Sequence, residues 1–140
     1  MNNPLLEYFE NNENGRLIHK WVHYFDIYHD HFQAYRNTEM TILEIGVFHG
    51  GSLQMWKHYF GSRARVIGID INPHCKDLEE EQITICIGNQ SDRLFLRDVA
   101  SRFGPFEIVL DDGGHKMHEQ IITFEELYPH ISNNGIYFCE

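Results

Sequence analysis

The chain has 140 residues, 42% of them hydrophobic and 23% charged, enough for one domain with a real core. Eleven Lys and Arg against 21 Asp and Glu give a net charge of −10, which repels phosphate backbones and anionic lipid and excludes broad binding to nucleic acid or membrane surfaces. No apolar run approaches the roughly 20 residues of a membrane span, the start Met1-Asn2-Asn3-Pro4 is unlike a signal peptide, and Cys75, Cys86 and Cys139 lack metal-ligand spacing and read as free thiols of a cytoplasmic protein.

Residues 1–37 read as an N-terminal helical segment. Asn11 to Gly15 is a polar turn cluster. From Leu17 the apolar positions Leu17, Trp21, Tyr24, Tyr28, Phe32 and Tyr35 recur at helical spacing, which predicts one long helix. Residues 38–140 then repeat a strand–helix unit. Thr41–Ile45 is a short apolar strand, followed by a helix over Ser52–Phe60. Arg65–Ile71 is a second strand, followed by a short acidic helix over Lys76–Gln82. Ile83–Ile87 is a third strand, and Ser91 is placed to cap a helix whose inner side carries Leu94, Phe95 and Val99. Phe106–Leu110 is a fourth strand, and Met117–Tyr128 a helix with Met117, Ile121, Phe124 and Tyr128 aligned. Asn133-Asn134-Gly135 turns into a fifth strand, Ile136–Cys139.

Near-continuous apolar strands alternating with helices predict a parallel sheet covered on both faces. Right-handed crossovers make it a Rossmann-like, doubly wound α/β sheet. Ligands of such sheets sit beyond the carboxyl ends of the strands. The five ends here carry Glu44-Ile45-Gly46, Asp70, Gly88-Asn89-Gln90, Asp111-Asp112 and Glu140.

Two of these ends carry chemistry. The first is the turn Gly46-Val47-Phe48-His49-Gly50-Gly51-Ser52. Asp70 follows Gly46 by 24 residues (70 − 46), about where an acid meets the hydroxyls of a ribose. A dinucleotide loop needs a second glycine where Phe48 stands, because the backbone must approach a pyrophosphate there. A ligand with ribose and adenine but no phosphate fits better, and S-adenosylmethionine (SAM) is one. Its amino-acid end meets the loop backbone, Glu44 and Ser52, with Gly50 opening the turn and Asn89 and Gln90 at the third strand end. An NAD-dependent oxidoreductase is the alternative, and a catalytically inactive SAM- or metal-binding module is another.

The second is Asp111-Asp112-Gly113-Gly114-His115. Adjacent carboxylates at an apolar strand end call for a positive partner, and a hard cation such as Mg²⁺ takes oxygen ligands. Asp112 and Glu140 are the candidate metal ligands. His115 is the candidate general base for a hydroxyl whose proton must leave before methyl transfer.

These residues resemble the class I SAM-dependent methyltransferases. More narrowly they resemble the rhamnosyl and macrolide-sugar O-methyltransferases and cephalosporin-hydroxylase-type proteins. The resemblance rests on Leu43–Gly46 with Gly50-Gly51-Ser52, Ile67–Asp70, Gly88–Asp92, Asp111–His115, Phe124–Leu127 and Gly135–Glu140. It implies the strand order 3-2-1-4-5, with two further strands of the usual fold absent here. It implies a SAM site lined by Glu44, Gly46, Asp70, Asn89 and Gln90, with Asp111 and Asp112 at its edge. It also implies magnesium on Asp112 and Glu140, His115 as base, and a small hydroxylated acceptor such as a sugar. The leading Lys20-Trp21-Val22-His23-Tyr24 resembles the family's first helix, which would fold an aromatic face over the cofactor. Asn89 stands where relatives often have Asp, and the second acid of the strand-five pair is missing. The chain thus reads as the first five strands of a larger protein, or as a homodimer that covers the edge of strand five.

Overall fold

The computed structural model describes residues 2–140. Five parallel strands form one sheet in the order β3-β2-β1-β4-β5, the order expected. They are β1 (Met40–Ile45), β2 (Ala64–Asp70), β3 (Ile83–Ile87), β4 (Phe106–Asp111) and β5 (Ile131–Cys139). The helices are α1 (Pro4–Glu10), α2 (Tyr24–Phe32), α3 (Gly51–Phe60), α4 (Arg93–Phe103) and α5 (Met117–Leu127).

Side chains alternate across a strand, so each strand feeds two cores. Ile42, Val66, Ile108 and Leu110 face α1, α2 and α3, where Phe25, Tyr28, Phe32, Trp56 and Phe60 are fully buried. Leu43, Ile45, Ile67, Ile69 and Val109 face α4 and α5 and meet Leu96, Val99 and Leu127. Each large apolar side chain so buried stabilises the fold by about 1.5–3 kcal/mol. The aromatic stripe of the N-terminal segment therefore belongs to the first core.

The predicted long helix is corrected. It starts at Tyr24, and residues 17–21 are not helical. Ile18 and the Lys20 side chain point inward from that stretch, while Leu17 and Trp21 are exposed. Gly51 makes the close crossing over α3 possible, because a Cβ there would stand 2.2 Å from the Leu17 carbonyl oxygen. The acidic helix after β2 is a 3-10 turn over Pro73–Leu78.

Asp92 caps α4 instead of Ser91: its side chain accepts from the Leu94 and Phe95 N–H groups. The inner side of α4 is Leu96, Val99 and Ala100, and Leu94 faces solvent. The Met117, Ile121, Phe124, Tyr128 stripe of α5 is also exposed, with Thr123 and Leu127 turned inward. In both helices an apolar stripe lies beside the buried one, and spacing alone cannot choose between them. β5 begins five residues earlier than expected, with an irregular register between its pairings to Phe106 and Ile108. Among the described residues no helix is long and apolar enough to cross a membrane.

Candidate active site

The strand ends are drawn level by ladder hydrogen bonds that continue past the strands. Gly46 N–H donates to the Ile69 carbonyl (2.8 Å), Asp112 N–H to Ile45 (2.9 Å) and Glu140 N–H to Asp111 (2.9 Å). Gly46 has φ +97°, and a Cβ there would stand 2.2 Å from the Asp112 carbonyl oxygen, so only glycine lets the two loops meet. Over these ends lies a cavity of about 360 Å³. Six expected residues line it: Gly46, Asp70, Asn89, Gln90, Asp112 and His115.

At one end of the cavity Asp70 holds the glycine-rich turn. Its Oδ2 accepts from the Val47 and Phe48 N–H groups (2.9 and 3.2 Å), and its Oδ1 from the Asn72 N–H. Each carboxylate oxygen keeps further acceptor capacity. Phe48 has φ +55°, an outlier for a bulky residue, and its half-exposed ring lies 5.5 Å from that of His19 and 4.4 Å from that of His49. The turn thus presents an aromatic wall where a dinucleotide loop has a glycine. Asn89 accepts from the Ser91 N–H and hydroxyl and shapes the β3 loop.

At the other end His115 is 60% exposed and itself takes the positive φ (+59°) that curls the loop. Its Nδ1 lies 3.1 Å from the main-chain oxygen of Glu140, and its Nε2 3.7 Å from Asp112 Oδ1. The main-chain oxygen can only accept, so this contact is a hydrogen bond when Nδ1 is the donor, and it fixes the ring with Nε2 toward Asp112.

Four expected cofactor residues stand outside the cavity wall: Glu44, Gly50, Ser52 and Asp111. Ser52 in α3 is turned onto Glu44, and Gly50 packs against Leu78; for Glu44 and Asp111 the reason is strand alternation. Glu44, Asp112 and Glu140 share the face of the first core with Ile42, Leu110 and Phe138. Glu44 is fully buried there; its Oε1 accepts from the Ser52 hydroxyl and from Trp56 Nε1 (3.3 Å). Asp111 points to the second core. It accepts from the Gly113 N–H (3.1 Å) and from Gln90 Nε2 (3.2 Å). Gln90 also donates to the Thr123 hydroxyl (3.0 Å) and accepts from the Gly114 N–H (2.8 Å). Burial pushes the Asp111 carboxyl above its ordinary range, and those two donors only partly offset it.

The central residue of the first-core side was not singled out from sequence. Lys20 Nζ lies 2.7 Å from Glu44 Oε2, 3.1 Å from Asp112 Oδ2 and 3.5 Å from Glu140 Oε1, with its side chain only 1% exposed. The Tyr28 ring centroid is 5.6 Å from it. Burial works against the charged ammonium, but the three carboxylates outweigh it and raise its pKa. Glu140 is pushed up by burial, with Lys20 pulling the other way. Trp21 points outward and Lys20 reaches in beneath the cavity, while His19 of the same stretch stands in the cavity wall beside Phe48. The helical spacing puts Lys20 on the face opposite the aromatic stripe, so the sequence carried no signal for its burial, and its carboxylate partners lie far along the chain.

Among the described residues no three His, Cys, Asp or Glu side chains form a ready metal cage. Asp112 lines the cavity and Glu140 does not; the two carboxylates meet through Lys20 Nζ, which contacts Asp112 Oδ2 and Glu140 Oε1. Asp112 Oδ1 has only His115 nearby, and Glu140 Oε2 has no hydrogen-bond partner among the described residues. With Lys20 counted, three carboxylates leave a local charge of about −2. Two hard oxygens of that charge fit a divalent ion that keeps several waters.

The sheet order, the glycine-rich β1 turn and the acid ending β2 define the Rossmann-like fold of the class I SAM-dependent methyltransferases. No protein-family model matches the chain. It is homologous to sugar O-methyltransferases of macrolide and tetracenomycin pathways. It is 41% identical over 134 residues to demethylmacrocin O-methyltransferase of Streptomyces fradiae, covering 89% of this chain and 33% of that protein. It is 39% identical over 128 residues to mycinamicin VI 2''-O-methyltransferase of Micromonospora griseorubida, covering 86% of this chain and 32% of that protein. Among solved structures it is similar to a methyltransferase of the mycinamycin biosynthetic pathway in complex with Mg, SAH and mycinamycin VI. That likeness has a TM-score of 0.87 and 35% identity and covers 98% of this chain and 36% of the other. The chain thus spans about a third of the length of the curated relatives it matches.

Proposed function

We propose that the chain is the cofactor-binding part of a SAM-dependent, magnesium-assisted O-methyltransferase acting on a hydroxyl of a small molecule, a sugar or glycoside. The observation that carries this is a single cavity with Asp70 and the glycine-rich turn at one end and Asp112 and His115 at the other. The likeness to sugar O-methyltransferases, one of them solved with Mg and SAH, supports it.

In this reading Asp70 accepts hydrogen bonds from the ribose hydroxyls, and Gly46 and Gly88 lie in the pocket wall beside it. Phe48 walls the pocket where a dinucleotide loop has a glycine. Asp112 and Glu140 would hold the magnesium ion, which when bound would lower the pKa of a hydroxyl and orient its oxygen. His115 is the base for the acceptor hydroxyl: its Nε2 takes the proton, while its Nδ1 stays on the Glu140 main-chain oxygen and keeps the ring oriented.

Magnesium-dependent transfer of a labelled methyl group from SAM tests the assignment. Asp112→Ala should abolish transfer while binding of SAH survives within a few-fold. Unchanged transfer by Asp112→Ala would overturn the ligand role. β5 is also one of the two outer strands of the sheet, and a second copy pairing along it is a proposal that sedimentation tests directly.

A further inference from the structure

Strand alternation puts Glu44, Asp112 and Glu140 on one face at neighbouring strand ends, and three carboxylates so placed repel one another. The only cation within 4 Å of any of them among the described residues, apart from the imidazole of His115, is Lys20. Its contacts are divided in a particular way. Lys20 takes Asp112 by Oδ2 and Glu140 by Oε1, so each carboxylate keeps its second oxygen. Glu140 Oε1 and Glu44 Oε2 are buried without a hydrogen-bond partner among the described residues, and Lys20 meets both as ion pairs. Glu44 is anchored by Ser52 and Trp56, so it fixes the ammonium instead of competing for a ligand place.

Building on the magnesium reading above, we propose that Lys20 is a positioning residue for the metal: its ammonium ties Asp112 and Glu140 together from the buried side. It turns Asp112 Oδ1 and Glu140 Oε2 toward a divalent cation. A chain of contacts then runs from α3 through Glu44 and Lys20 to both ligands. The non-helical stretch 17–21 is thereby part of the metal site, although it lies about 90 residues from Asp112 along the chain. Lys20 neither binds the metal nor yields its place to it; it sets the angle and spacing of the two carboxylates.

The test uses Mn²⁺ as the probe, read by electron paramagnetic resonance on the metal-free chain. Lys20→Met should weaken Mn²⁺ binding at least tenfold. That variant also loses stability, so a second one keeps the proposal falsifiable. Lys20→Met combined with Glu44→Gln removes one charge of each sign, leaves Asp112 and Glu140 intact, and restores the net charge of the cluster. The double variant should recover most of the lost thermal stability yet still bind Mn²⁺ at least tenfold more weakly than wild type. Mn²⁺ affinity equal to wild type in the double variant would overturn the proposal, because charge balance alone would then suffice. Tighter binding in Lys20→Met would also overturn it, because Lys20 would then be a competitor for the ligands. Absence of Mn²⁺ binding in the wild-type chain would remove the magnesium reading and this proposal together. Equal binding by all three proteins would remove the proposal alone.

Discussion

Two buried polar clusters flank the same strand ends, one on each face of the sheet, and they are built from different chemistry. On the side of α1–α3, Lys20 joins three carboxylates through ionic contacts. On the side of α4 and α5, Gln90 joins Asp111, Thr123 and the Gly114 N–H through directed, mostly neutral hydrogen bonds. The ionic cluster leaves oxygens of Asp112 and Glu140 uncommitted. The neutral cluster uses up its polar atoms internally and holds the loop that carries His115. One face supplies charge to the site, and the other supplies shape.

The largest effect should come from the ionic side. Lys20→Met leaves buried carboxylates uncompensated and should lower the unfolding free energy of the metal-free chain by about 3–5 kcal/mol, measured by denaturant titration. A loss below 1 kcal/mol would show that the carboxylates reach water without it. Next, Gln90→Ala leaves the Gly114 N–H without its acceptor and removes one donor each from Asp111 and the Thr123 hydroxyl, and should cost about 1–3 kcal/mol. Hydrogen exchange at Gly114 should speed up in that variant while exchange in β2 stays slow. A Lys20–Glu44 double-mutant cycle should give a coupling of about 0.5–3 kcal/mol, whereas Lys20 with Gln90 should be additive if the faces are independent.

The smallest effect belongs to the exposed cluster between α4 and α5. There Glu126 accepts from Arg97 and Arg93, whose hydrogen bonds lower its carboxyl to about 2. A depressed carboxyl pKa contributes stability above the unfolded value near 4.5, and that contribution is lost as pH falls toward 2. Glu126→Gln should flatten the pH dependence of stability in that window and change little at pH 7, because exposed pairs are screened by solvent.

The sequence made the sheet legible because its strands are apolar, β-branched and bounded by turns. The cavity floor was legible too, since Gly46, Asp70, Asn89, Asp112 and His115 stand at strand ends. Reading the alternation one step further separates Glu44 from Ile45 and Asp111 from Asp112, and so assigns each acid to a face. The role of Lys20 was hidden for two reasons. Residues 17–21 carry helical spacing but cross the strand ends without forming a helix, held by Gly51 and the aromatic core. Its partners are also set by tertiary pairing alone. The helix faces of α4 and α5 were misread where apolar residues lie on two adjacent stripes. Leu94 and Met117 are the clearest cases.

Calorimetric titration tests most directly whether the cavity over these strand ends is a SAM site. SAH should bind the wild-type chain at a single site, and Asp70→Ala should weaken it at least tenfold, with NAD giving no heat. Saturable binding of NAD with no response to SAH would contradict the account.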